Sequence, residues 1–207
     1  MKKYLLLLLG FASLKLSAQE NKIDSTSSQW KFSAWAELFI IPDEKDFFNP
    51  TFYARHKTLH LEGRYNYEDK NTASLWAGRR FKFGKAVEFV LVPMGGVVFG
   101  NTNGIAPGLE TEIIYKKFDF YSESEYLFDF KTKENNFFYT YSELAIRPIK
   151  AIRTGLMAQR TRLFESDLEL QRGLFAEYYF GRCRAGFFYF SPFSSDNFGV
   201  ASFSVDF

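Results

Sequence analysis

His56 and His60 are the two histidines of this 207-residue chain, and histidine is the side chain suited to moving protons near neutral pH. On an extended chain a spacing of four puts their backbones about 13 Å apart, too far to share one ion. Glu110 with Glu112, and Glu123 with Glu125, are carboxylate pairs at spacing two. On one strand face such pairs suit calcium binding or acid–base work, though confined carboxylates more commonly pair with arginines. Ser122, Ser124 and Ser142 are the hydroxyls that a Ser–His dyad would need. Gly95, Gly96 and Gly100 do not make a dinucleotide fingerprint, and no Gly-rich loop runs into Lys-Ser or Lys-Thr. A single cysteine, Cys183, can form neither an internal disulfide nor a multi-cysteine metal site. No cofactor and no metal are expected.

The elements that must position these residues show themselves by period two. Leu59, Leu61, Gly63, Tyr65 and Tyr67 share one face against His60, Glu62, Arg64 and Asn66. Phe118, Phe120, Ser122, Ser124, Tyr126 and Phe128 oppose Asp119, Tyr121, Glu123, Glu125, Leu127 and Asp129. Turn signals recur at regular intervals and predict strands at 30–41, 47–54, 58–67, 73–83, 86–99, 105–116, 118–131, 137–147, 151–163, 168–180, 182–191 and 197–207. That is twelve. The segment 47–54 is the weakest because of Asn49-Pro50; an even count, with both ends on one side, favours twelve and leaves ten as the alternative. Pro93 and Pro107 fall inside strands and predict bulges or shortening there.

Composition narrows the class. The chain has 26 Phe and 12 Tyr, a 20% aromatic share and a mean hydropathy of −0.21, which excludes disorder. Its net charge is +2, but residues 1–18 carry Lys2, Lys3 and Lys15 and no acid, so the remainder lacks the basic excess of a nucleic-acid binder. Those first residues, with an apolar run from Leu5 and then Leu16-Ser17-Ala18, predict a cleaved secretory signal peptide. A short segment, 19–29, then leads into one domain, 30–207. The longest uncharged apolar stretch, 89–100, is broken by Pro93, Gly95 and Gly96, so a membrane-spanning helix is not expected.

Aromatic residues gather at strand ends, and the last strand carries Ala201, Phe203, Val205 and Phe207 at alternate positions. In these features the chain resembles small Gram-negative outer-membrane β-barrel proteins. The resemblance implies an all-β, closed antiparallel transmembrane β-barrel in the cell outer membrane. It also implies a terminal signal, Phe203, Val205 and Phe207, read by the barrel-insertion machinery, and outer-membrane lipids around the apolar face. Unbroken alternation places Arg79, Arg160, Arg162 and Arg172 on that lipid side at a cost of about 2–4 kcal/mol each at the midplane, so register slips are expected. The run Phe187-Phe188-Tyr189-Phe190 reads as part of an interfacial belt.

The opposite face collects eleven acids: Glu37, Glu62, Glu110, Glu112, Asp119, Glu123, Glu125, Asp129, Glu143, Glu169 and Glu177. It collects nine bases: Lys31, Arg64, Arg80, Lys82, Lys116, Arg147, Arg153, Arg182 and Arg184. Acids concentrate between Glu110 and Glu143 with bases on the flanking sectors, an arrangement that sets up a transverse field able to filter polar solutes. The near-balance lacks the basic excess expected of a porin for acidic sugars. The sequence supports a narrow passive channel for small polar solutes, with an occluded structural or partner-binding barrel as the alternative. A lipid hydrolase is the second alternative, and is opposed by placement: the serines fall on the lipid face and His60 on the inner one.

Overall fold

The computed structural model describes residues 29–42, 45–163 and 169–207, with the side chains of 161–163 and 169 excepted. The expected signal peptide and the side chains of Arg162 and Glu169 therefore lie outside the described residues. The strands are β1 (Lys31–Ile40), β2 (Phe47–His56), β3 (Leu59–Tyr65), β4 (Thr72–Arg79), β5 (Phe81–Gly84), β6 (Glu88–Gly100), β7 (Gly104–Tyr115), β8 (Phe118–Asp129), β9 (Phe137–Ile149), β10 (Ile152–Leu163), β11 (Glu169–Phe180), β12 (Cys183–Phe190) and β13 (Phe198–Asp206). A 3-10 turn, Lys133–Asn135, precedes β9.

Neighbours pair antiparallel in chain order, and β1 pairs with β13 from Ser33↔Asp206 to Ile40↔Gly199, which closes the sheet. The segments β4 and β5 both pair with β6 in one continuous register, Gly78↔Met94 and then Phe81↔Leu91, so they are two halves of one stave in a closed twelve-stranded barrel. In that register the residue facing Arg79 is Pro93, which has no N–H to give, and the ladder lapses there without slipping. The β7–β8 ladder lapses in the same way at Ala106 and Pro107, between Ile105↔Phe128 and Gly108↔Glu125. The bulges expected at these prolines are therefore absent. A register shift does occur between Ile152 and Thr154 where β10 meets β9, next to Pro148, so β9 extends through Ile149, where a turn was expected.

Both described termini lie at the end of the barrel that carries turns of two or three residues, and the loops at the other end run from three to seven. Lys57, Lys116 and Gly181, each the first residue of a two-residue turn, take φ of 53°, 56° and 63°. A left-handed first turn residue suits the twist of the flanking strands.

The outer surface decides the solvent. Leu75, Leu109, Leu144, Leu156 and Leu174 point outward with 42–57% of their surface exposed. An aromatic set lies beyond them toward each end: Phe32, Phe83, Tyr115, Phe118 and Phe180 near the short turns, and Phe48, Phe99, Phe128 and Phe130 near the long loops. Contiguous apolar surface on this scale faces hydrocarbon, with the aromatic rings at the two interfaces. Leu156 stands in register with Leu144 on one side and Leu174 on the other, in the middle of this band. Leu156→Arg is therefore expected to destabilise the folded barrel in lipid vesicles by about 2–4 kcal/mol. A urea titration that showed no change would move the hydrocarbon band elsewhere.

Arg79, Arg160 and Arg172 are outward and exposed, and the pairing around them is in register, so the slips expected from the sequence do not occur. Position accounts for them. Arg160 pairs with Leu170 near the end of β10 and the start of β11, the Arg172 carbonyl accepts from Ser191 N–H at the start of the 191–197 loop, and the Arg79 guanidinium lies 5.4 Å over the Phe81 ring. Near an interface an outward arginine costs about 0–1 kcal/mol, because its head reaches water.

The inner face is not uniformly polar. Trp76, Met94, Val98, Ala106, Leu127 and Phe137 form one inward apolar cluster, and Ala145, Met157, Phe175, Phe188, Phe190, Phe198 and Val200 form another. Only half of the expected belt 187–190 faces out: Phe187 is 51% exposed, whereas Phe188 and Phe190 are inside at 3% and 4%. Trp76 fits because Gly96 and Gly108 face it from β6 and β7; a Cβ on Gly96 would stand 2.4 Å from the indole. The apolar stretch 89–100 is thus a strand apolar on both faces, one against lipid and the other against Trp76.

Candidate functional site

Inside the barrel is a cavity of about 1140 Å³ whose lining reaches both ends, from Gly181, Arg182 and Asp206 beside the short turns to Asn101, Thr102 and Asn135 beside the loops. Ten carboxylate side chains and six arginines line it. The strand period puts those on strands inside, since each follows the inward parity of its strand, while Glu68, Asp69 and Arg182 enter from loops and turns.

Two ion-pair networks occupy the wall. The first is built on Arg64 of β3, whose Nε lies 2.6 Å from Glu62 Oε2. Its Nη2 is 2.8 Å from Glu123 Oε1, and its Nη1 lies 3.2 Å from Glu125 Oε2 and 3.8 Å from Glu68 Oε1. Because Glu123 and Glu125 belong to β8, this arginine reaches across the lumen from β3. It also lies 4.3 Å from the Tyr67 ring and 4.7 Å from the Trp76 ring, two aromatic faces that hold the guanidinium plane. Four carboxylates around one guanidinium leave an excess of negative charge.

The second network centres on Arg153 of β10. Its Nη2 is 2.6 Å from Asp119 Oδ1, and its Nη1 is 2.6 Å from Glu143 Oε2 and 2.9 Å from Glu177 Oε2. Arg147 reaches Asp119 at 3.3 Å, and Arg184 reaches Glu177 at 3.2 Å while lying 3.9 Å over Trp35. Three acids meet three arginines here, so this network is balanced.

The remaining residues expected inside divide. Glu110, Glu112, Arg80 and Arg182 line the cavity. Lys82 does not: in the β5–β6 hairpin it pairs with Glu88 at 2.7 Å, both partners a third or more exposed. Lys31 is exposed at the start of β1, and Lys116 sits in a turn over Tyr115. The Asp129 carboxylate accepts from Lys131 and Thr132 N–H and shapes a loop. All four have the right parity but stand at strand ends, beyond the enclosed part of the lumen. The expected separation of acids from flanking bases is closed in space, because Arg64 and Arg153 fold onto the acidic wall.

Sequence reasoning missed Glu68, a loop residue without strand parity that accepts from Ser74 Oγ at 2.6 Å and from Trp76 Nε1 at 3.0 Å. It set Tyr121 on the inner face without a role, and it set Tyr67 on the outer face, whereas β3 ends at Tyr65 and Asn66, at φ 58°, breaks the alternation so that Tyr67 lines the lumen. Tyr67 donates to Glu123 at 2.9 Å, Tyr141 donates to Glu143 at 2.7 Å, and the Tyr121 hydroxyl sits between Glu110 at 3.1 Å and Glu123 at 3.3 Å with its one proton on the nearer Glu110. The parity of Tyr121 and Tyr141 was visible, since each shares its face with Glu123 or Glu143. His56 and His60 flank the β2–β3 turn rather than lying along one extended strand; His56 stacks on Trp30 at 5.0 Å and His60 faces the lumen. Ser122 and Ser142 hydroxyls bond each other at 3.0 Å on the outward face, across the wall from His60.

No protein-family model matches the chain, and no curated protein matches it. Solved structures do. The KdgM porin superimposes with a TM-score of 0.61 at 11% identity, covering 84% of this chain and 99% of that one. The KdgM porin in complex with disordered oligogalacturonate gives 0.59 at 11% identity, covering 86% and 99%. A chain from a study of in-meso crystallization of membrane proteins gives 0.53 at 15% identity, covering 84% and 83%. At these identities the likeness is one of fold: this chain shares a closed antiparallel β-barrel with those structures.

Proposed function

We propose that the protein is an outer-membrane channel that passes small polar solutes and favours cations over anions. The observation that carries this reading is the rim-to-rim cavity of about 1140 Å³ lined by ten carboxylates against six arginines. A surplus of one sign on low-dielectric walls raises the local concentration of the opposite ion and repels its own kind. The fold it shares with the KdgM porin supports a channel, but the carboxylate surplus opposes an acidic oligosaccharide such as the one named in that porin's complex.

Outer-membrane lipids would surround the aliphatic band, and the outward Arg160 and Arg172 would meet their anionic headgroups near the loops. The strand ending Phe203, Val205 and Phe207 would address the chain to the barrel-insertion machinery. Its Phe207 N–H bonds the Phe32 carbonyl at 2.9 Å at the closing seam, so the same residues also complete the barrel.

Planar-bilayer recording of refolded protein tests the proposal. Stepwise conductance is expected, with a reversal potential in a KCl gradient that shows potassium preferred to chloride. Chloride preference would refute the role given to the carboxylates. Silence under all voltages would turn the conclusion to an occluded structural or partner-binding barrel, the reading favoured by the two inward apolar clusters and by Arg64 spanning the lumen.

A further inference from the structure

On the acid-rich side of the lumen, His60 Nε2 lies 2.5 Å from Glu62 Oε1 and 4.0 Å from Glu110 Oε2, and the three donor atoms all fall within 4.8 Å of one another. His60 and Glu62 stand two apart on the inner face of β3, and Glu110 reaches them from β7. In register, His60 faces Gly78 of β4 and Glu110 faces Val92 of β6. From these positions we infer that the barrel binds a divalent first-row transition ion through His60, Glu62 and Glu110.

The surroundings are arranged as the supports of a metal site are. Each carboxylate has one oxygen held and the other turned to the imidazole. Arg64 Nε holds Glu62 Oε2 at 2.6 Å, and the Tyr121 hydroxyl donates to Glu110 Oε1 at 3.1 Å. Such partners fix ligand orientation and raise metal affinity. One imidazole and two carboxylates match the donor preference of zinc, manganese or iron(II); calcium and magnesium select oxygen donors and would make little use of His60. Donors about 3.3 Å apart satisfy a tetrahedral ion with bonds near 2.0 Å, so the His60–Glu62 pair opens by less than about 1 Å to admit it. Charge agrees. Glu62, Glu68, Glu123 and Glu125 share Arg64 as their ion-pair partner, and Glu110 adds a fifth carboxylate beside His60. A bound dication supplies the positive charge that one guanidinium does not. His60 and Glu110 also line the cavity, so a remaining coordination position would open onto the water path.

The test is calorimetric titration of zinc chloride into untagged, refolded protein in detergent. One ion per barrel is expected to bind with a micromolar or tighter dissociation constant. His60→Gln and Glu110→Gln are each expected to weaken binding at least tenfold, whereas His56→Gln and Glu112→Gln leave it unchanged. X-ray absorption at the zinc edge of the wild-type complex should show one nitrogen and two carboxylate oxygens in the first shell, which keeps the test valid if a variant fails to fold. Absence of stoichiometric binding, a first shell without nitrogen, or affinity unaltered in both lumen variants would overturn the inference. Binding is measured here without conduction, so its outcome is separate from that of the channel recording.

Discussion

Arg64→Met is expected to destabilise the barrel by about 3–5 kcal/mol, measured as a lowered midpoint of urea unfolding in vesicles, because it removes the cation shared by four buried carboxylates. Glu62, Glu123 and Glu125 are 4%, 5% and 2% exposed, so water cannot readily replace the guanidinium. Arg64→Lys should recover little, since an ammonium cannot place several donors in one plane between Tyr67 and Trp76. Adding Glu123→Gln and Glu125→Gln to Arg64→Met should restore much of the loss by removing the charge left behind. A loss under about 1 kcal/mol would mean that lumen water or counterions already solvate these acids, contrary to their burial.

Gly96→Val carries the second large expectation. The first atom of any side chain at Gly96 would meet Trp76 ring carbons at 2.4, 2.5 and 2.8 Å, and Trp76 itself is 2% exposed with no room to retreat. Overpacking of this kind costs about 1–3 kcal/mol and can exceed that when the obstruction is a rigid ring. Trp76→Ala alone should cost about 3–5 kcal/mol through the cavity it leaves. Combined, the two changes should be markedly less harmful than their sum, because a valine at position 96 partly refills the space of the lost indole. Additive losses in unfolding titrations of the folded barrels would show that Gly96 is needed for backbone shape rather than for the indole.

These two expectations rest on parts of the molecule that the sequence disclosed unequally. That Arg64 and Glu62 look inward was legible from strict alternation with Leu61, Gly63 and Tyr65, since period two assigns a face without any knowledge of the partner strand. Their meeting with Glu123 and Glu125 was not legible, because it depends on the curvature that brings β3 opposite β8. Trp76 and Gly96 were invisible as a pair for a related reason: β6 is apolar on both faces, and alternation of polarity says nothing where there is none. The terminal lysines and Asp129 erred the other way, since parity assigns a face at every position but does not mark where the enclosed lumen stops.

The sequence by itself determined the strand rhythm and the face to which each mid-strand residue turns, because both follow from local periodicity, and its likeness to outer-membrane barrels implied the closed sheet that pairs every backbone amide in hydrocarbon. Tertiary structure decided the rest. It chose which charges touch, gathered Arg64 and Arg153 onto the acids, brought His60 to Glu110 across two intervening strands, and filled part of the lumen with apolar side chains. Those outcomes depend on stagger and closure, which set distances across the axis and leave no trace in the spacing of residues along one strand.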